Sequence, residues 1–289
     1  MNDRLEPDAP GLVPPKLPKW AEHWIDVGGR QTRTYRLGQG PPLVLIPSVF
    51  LRASSYRGTI AGLAEHFEVI AAEMPGSGKS QRLKTSWGFV EGADWAAELL
   101  NTLALDQAIV LGHSDTGGVA AMMGARHPDR VHALVLADSV GALPGASWFT
   151  LLLGRLRDTI FEEARLTFPL GPPLVANLLR HPRNWLYHAF RLAADTEPLE
   201  IAPRIQAPAL LAWGRRDHTF PPACAERFQA AIPRSRIAWS SGSHDWLITH
   251  PHDFSVAVVG FSRELGLEAE YRPRDVESKR CESTASSGC

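Results

Sequence analysis

Residues Ala108–Pro128 read AIVLGHSDTGGVAAMMGARHP. The apolar run Ala108–Leu111 stops at Gly112-His113-Ser114, and small residues at helical density follow at once. That pattern predicts a buried strand, a turn with no spare residue, and a helix packed close to the sheet. It leaves one reactive side chain on the turn.

Short apolar runs alternate with helical patterns on either side of this stretch. Towards the N-terminus, Trp20–Val27 and Arg30–Leu37 flank Gly28-Gly29 as a two-stranded ribbon. Leu43–Ile46 is a strand covered on both faces, followed by a helix over Ser54–Phe67 and a strand over Phe67–Ala72. Trp87–Leu105 has the apolar spacing of an amphipathic helix. Towards the C-terminus, strands are predicted at Val131–Ala137, Ala207–Trp213 and Arg236–Trp239, with helices over 221–231 and Asp253–Leu265. The alternation argues for a mostly parallel sheet with helices on both faces. From 141 to 203 prolines, aromatics and charges break the chain into short helical pieces such as Trp148–Leu156 and Asn184–Ala194. This segment is predicted to be a helical cap inserted into a core formed by 1–140 and 204–266. Residues 1–19 read as an extended, proline-rich arm and 267–289 as a flexible, polar tail.

The bulk composition excludes several classes. The 289 residues carry 30 basic and 31 acidic side chains, a net charge of −1, so nothing provides the basic field a nucleic-acid partner requires. Three cysteines, two of them in the last nine residues, do not form a disulfide scaffold or a metal motif. No run approaches a membrane span, no signal peptide is recognisable, and the expectation is a cytoplasmic protein without membrane contact. The loop Glu73–Ser80, EMPGSGKS, invites a phosphate-binding reading, but it lacks the leading glycine and the four-residue spacing of a P-loop. No cofactor and no metal is expected.

Serine chemistry is the reading that the elbow supports. A strand-to-helix turn lifts the Ser114 hydroxyl clear of the sheet edge, and small neighbours are needed to fit the turn. Gly112 meets that need, whereas Thr116 stands where glycine is usual. A register one residue later would make Asp115 the nucleophile.

The elbow, the PGSGKS loop and the His127-Pro128 pair after the elbow helix together resemble the α/β-hydrolase superfamily over roughly residues 20–265. Counting to His127-Pro128 from Ser114 fits that resemblance and counting from Asp115 does not. The resemblance implies an eight-stranded, mostly parallel sheet with a helical cap. It also implies a Ser, Asp, His order along the chain. Asp217, in Gly214–Pro221, and His244, in Gly242–Trp246, fill the acid and base places, with Asp138 as a reserve acid. Two backbone N–H groups would hold an oxyanion, those of Asp115 and Val49. Pro47 has no N–H to offer. The Asp115 carboxylate would need to point away or be paired. His113, Trp148 and Trp246 are candidate substrate-pocket residues. The implied activity is hydrolysis of a small, apolar carboxylic ester through an acyl-enzyme. The alternatives are an epoxide hydrolase or dehalogenase working through Asp115, and a ligand-binding protein without catalysis.

Overall fold

In the computed structural model residues 20–162 and 167–267 are described, with the side chains of 161–169 excepted. The expected arm at 1–19, nearly all of the expected tail, Cys281 and Cys289 lie outside the described residues.

Eight strands form one sheet: β1 (Ala21–Asp26), β2 (Gln31–Leu37), β3 (Pro42–Ile46), β4 (Glu68–Glu73), β5 (Ala108–His113), β6 (Val131–Ala137), β7 (Ala209–Gly214) and β8 (Ser235–Ser240). Their order is β1-β2-β4-β3-β5-β6-β7-β8. The pairs β1/β2 and β2/β4 are antiparallel and every later pair is parallel. Gly28 and Gly29 turn the β1–β2 ribbon with φ of 58° and 78°, a conformation glycine adopts without penalty.

The run Leu43–Ile46 shows why the central strands read as continuously apolar. Leu43 and Leu45 enter one core, Val44 and Ile46 the other. Successive side chains of a strand face opposite sides, and both sides here are covered. On one side lie α1 (Arg57–Leu63) and, late in the chain, α9 (Pro251–Glu264), contributing Ile60, Leu63, Phe254 and Val258. On the other lie α2 (Phe89–Thr102), α3 (Asp115–Arg126) and α8 (Pro222–Ala231), contributing Phe89, Leu99, Val119 and Phe228.

Between β6 and β7 run α4 (Trp148–Arg157), α5 (Thr167–Arg180), α6 (Pro182–Phe190) and α7 (Glu197–Ile201), with no strand among the described residues. The sequence reading found α4 and α6 but not α5. Pro172 and Pro173 lie in its first half, where they remove two backbone donors without ending the helix. No helix among the described residues is long and apolar enough to cross a membrane.

The loop after β4 is built around Glu73. This fully buried carboxylate accepts the N–H of Ala53 at 3.0 Å and of Lys79 at 2.8 Å, and Arg33 Nη1 lies 3.7 Å away. The N–H of Lys79 therefore turns inward to a carboxylate, which is the opposite of a phosphate cradle. Gly78, at φ 53°, lies so close to Glu73 that a Cβ there would overlap the carboxylate.

The elbow is equally tight. A Cβ at Gly112 would overlap the Thr116 carbonyl and lie 2.8 Å from the Gly117 Cα. Strand β5 is fixed on both sides by β3 and β6 and cannot yield. Gly112→Ala is therefore expected to destabilise the fold by about 3 kcal/mol, the upper range for overpacking a rigid core. Urea unfolding of the two proteins measures it, and equal midpoints would refute the steric account. Thr116 departs from the usual glycine because its hydroxyl has work to do: it donates to the Ile46 carbonyl at 2.7 Å, tying β3 to the elbow. It also accepts the His113 N–H at 3.2 Å.

Candidate active site

The parallel strands deliver three side chains to their carboxyl ends. Ser114 lies directly after β5 with φ 57° and ψ −121°, a strained region for a residue with a Cβ. Its backbone is pinned there: its N–H donates to Ala137 O and its carbonyl accepts from Val140 N, both at 3.0 Å. The loop after β8 brings His244 Nε2 to 3.0 Å from Ser114 Oγ, across 130 residues of chain. The loop after β7 brings Asp217 Oδ2 to 2.9 Å from His244 Nδ1. The other Asp217 oxygen accepts the N–H of Phe220 at 2.8 Å. All three residues are buried, Ser114 at 8% exposure.

Burial alone would lower the His244 pKa. The charge of Asp217 and its hydrogen bond outweigh that, and the imidazole is pushed up to about 9. Asp138, after β6, does not reach His244. Its Oδ1 accepts Gly214 N at 2.8 Å, and burial, reinforced by the adjacent Asp217 charge, holds its carboxyl well above the usual range. The expected reserve acid is thus a buried neighbour of the acid that faces the histidine.

Two of the expected pocket residues belong to the core instead. His113 is buried, its Nδ1 2.8 Å from Tyr56 Oη and its Nε2 3.2 Å from the His244 carbonyl. Burial pushes it down to about 4, so it is a neutral strut under the His244 loop. Trp246 is 2% exposed and packs edge-on against Phe254, on the α1/α9 side of the sheet. Trp148 lies half exposed on α4, with Phe149 and Phe190 as its ring neighbours. The buried trio His113, His244 and Asp245 has the spacing of a metal site. Its atoms are already committed: His244 to Ser114 and Asp217, His113 to Tyr56 and a carbonyl, Asp245 to Arg155.

The Val49 N–H, expected to face an oxyanion, is turned to a carboxylate in this structure. It donates to Asp115 Oδ2 at 3.3 Å, and the Ser48 N–H donates to Tyr56 Oη at 3.1 Å. Asp115 also accepts from Ser48 Oγ and stands 2.9 Å from His188 Nδ1. The aspartate is paired, as its position beside the serine requires, but with a histidine and a hydroxyl. Asp115 opens α3, where a first-turn N–H has no partner within the helix.

The sequence reading missed how the segment between β6 and β7 grips this site. His188 of α6 holds Asp115, the residue after Ser114, and Arg155 of α4 holds Asp245, the residue after His244. Asp158 accepts the N–H groups of His218 at 3.0 Å and Thr219 at 2.9 Å, just after Asp217. Asn177 of α5 donates to Val49 O at 3.1 Å. No local motif marks any of these four. Only the unbalanced charge of Asp115 signalled that a partner had to exist.

Three comparisons bear on this arrangement. A profile of the alpha/beta hydrolase fold matches residues 41–159. A pimeloyl-[acyl-carrier protein] methyl ester esterase of Aeromonas hydrophila is 29% identical over 252 residues, covering 78% of this chain and 97% of that protein. A putative non-heme haloperoxidase of Mycobacterium phage D29 is 36% identical over 244 residues, covering 74% of this chain and 85% of that protein. Among solved structures, the enol-lactonase of Burkholderia xenovorans LB400 superposes with a TM-score of 0.72 at 21% identity, covering 83% of this chain and all of that one.

Proposed function

Because this chain belongs to the family of the alpha/beta hydrolase fold, we propose that it is a carboxylic ester hydrolase in which Ser114, His244 and Asp217 act together. His244 Nε2 takes the Ser114 proton as Oγ attacks the ester carbonyl, and returns it to the departing alcohol as the tetrahedral intermediate collapses. Water, deprotonated by the same nitrogen, then attacks the acyl-enzyme and frees the acid and the serine. Asp217 holds the imidazole in the Nδ1–H form and stabilises the cation made at each attack. Asp115 N–H supplies one contact to the oxyanion. Val49 N–H supplies the second when it leaves its long bond to the Asp115 carboxylate. The segment 141–203 acts as a cap over the substrate.

The observation that carries this reading is the 3.0 Å approach of His244 Nε2 to a serine hydroxyl held on a strained elbow. Ester chemistry is supported by the Aeromonas hydrophila relative, a methyl ester esterase by name. Attack by Asp115 is disfavoured because its carboxylate is already shared among Ser48, Val49 and His188.

Intact mass after treatment with a fluorophosphonate tests the proposal. One adduct is expected on the wild type, none on Ser114→Ala, and slow uptake on His244→Ala. An unlabelled wild type, or an adduct that persists in Ser114→Ala, would overturn it.

A further inference from the structure

Helix α4 is mounted with its charged side towards the protein. Leu151, Gly154, Arg155 and, in the turn that continues the helix, Asp158 share one face at helical spacing. Arg155 bonds Asp245, Asp158 takes the N–H groups of His218 and Thr219, and a Cβ at Gly154 would overlap the His218 carbonyl. The outward face is Phe149, Leu152, Leu153, Leu156 and Ile160, also at helical spacing, and these side chains are 45–58% exposed. A helix on the surface of a globular protein shows the reverse, an apolar stripe inward and charges outward. The next two helices repeat the inversion. α5 buries Asn177 along with Leu170 and exposes Leu174, Val175 and Leu179. α6 buries Asn184 and His188 and exposes Leu186 and Phe190.

The stripe continues through Trp148, whose ring lies 5.9 Å from that of Phe149 and 5.7 Å from that of Phe190 on α6. All three rings are about half exposed. Contiguous apolar side chains left in water mark a docking surface. The charges beside them select the occupant. Among the described side chains of α4 to α6, the exposed charges are all arginine: Arg157, Arg183 and, closing α6, Arg191. The one acid there, Asp158, is buried and bonded inward. A second copy of the chain, paired through the same patch, would set arginine against arginine with no carboxylate between them. An anionic lipid surface offers both halves of the match, acyl chains for the stripe and phosphate for the guanidinium groups.

We propose that α4 lies flat in the surface of an anionic lipid bilayer, with its outward stripe among the acyl chains and Arg157 and Arg191 at the phosphates. Ten residues long, it cannot cross the hydrocarbon, so the contact is peripheral. The expectation of no membrane contact rested on the lack of a spanning run, which a helix lying in the interface does not need. Each arginine near such a surface contributes about fivefold to partitioning. The contact is independent of the serine chemistry, and binding alone reads it out.

The test is sedimentation of the full chain with sucrose-loaded vesicles, one series of phosphatidylglycerol mixed with phosphatidylcholine and one of phosphatidylcholine alone. The wild type is expected to bind the anionic vesicles about thirtyfold more tightly, and progressively less as salt is added. Leu152→Ser/Leu153→Ser/Leu156→Ser changes outward side chains only. It should weaken binding to the anionic vesicles by about a hundredfold at an unchanged urea midpoint. Arg157→Gln/Arg191→Gln, confined to exposed charges, should remove the preference for anionic vesicles, and it reads the contact if the leucine variant does not fold. A wild type that stays in the supernatant overturns the proposal, as does equal binding to both vesicles or undiminished binding in a folded variant. Sedimentation velocity without lipid reads the competing occupant. A wild-type dimer that the leucine variant dissociates would assign the stripe to a second copy and overturn the lipid contact.

Discussion

Ser114→Ala is expected to lower kcat/KM for p-nitrophenyl butanoate by about 10⁶-fold while changing the unfolding free energy by less than about 1 kcal/mol. The loss is large because no other group beside His244 can take the hydroxyl's place. Asp115 is the nearest competitor, and its oxygens already accept from Ser48, Val49 and His188. The small effect on stability follows from burial and backbone. Residue 114 keeps its Cβ, so the positive φ is unrelieved, and among the described residues the side-chain hydrogen bond removed is that between Oγ and His244 Nε2. Steady-state kinetics and urea unfolding on the same sample give both numbers. Residual activity within a hundredfold of wild type would return the chemistry to another residue.

Asp217→Asn should be the second most damaging change, about 10⁴-fold in kcat/KM at the optimum, with a displaced pH profile. The base must be neutral to accept the serine proton. With His244 pushed up to about 9, wild-type kcat/KM should rise tenfold per pH unit and level off near pH 9. Burial opposes that shift, and the Asp217 charge produces it. Asparagine removes the charge and leaves the burial, so the limb should move below the ordinary histidine value of about 6.5. Asp138→Asn is the informative contrast. That carboxyl bonds Gly214 N, while Asp217 is the acid at His244, and burial pushes its pKa well above the usual range, so an amide there should leave the limb near its wild-type position. A pH profile from 5 to 10 on a non-ionising ester distinguishes the three proteins. An unmoved limb in Asp217→Asn, or a limb displaced only by Asp138→Asn, would reverse the roles of the two acids.

The helical segment between β6 and β7 joins these effects. It touches the residue after the serine, the residue after the histidine and the loop after Asp217 through His188, Arg155 and Asp158. The placement of Ser114, His244 and Asp217 therefore draws on helices that carry none of them. Each of these contacts has a buried member, Asp115, Asp245 or Asp158, so a partner lost there leaves a desolvated group behind, as a lost surface pair does not.

The sequence by itself determined the architecture, and it singled out Ser114, Asp217 and His244, which the structure brings within hydrogen-bond distance of one another. Alternation of two-fold and helical periods needs no tertiary information, and neither does the elbow. Gly112 and Thr116 are four residues apart, so their crowding is a local backbone event that the sequence states directly. The tertiary structure alone decided which aspartate faces His244, where Val49 donates and what neutralises Asp115. It also moved His113 and Trp246 from the pocket wall into the core. The physical reason is range. His188 and Asp115 are 73 residues apart, and a buried hydrogen bond at that separation has no period and no spacing to betray it. It exists only because the fold brings two groups out of water at the same place, where each must satisfy the other.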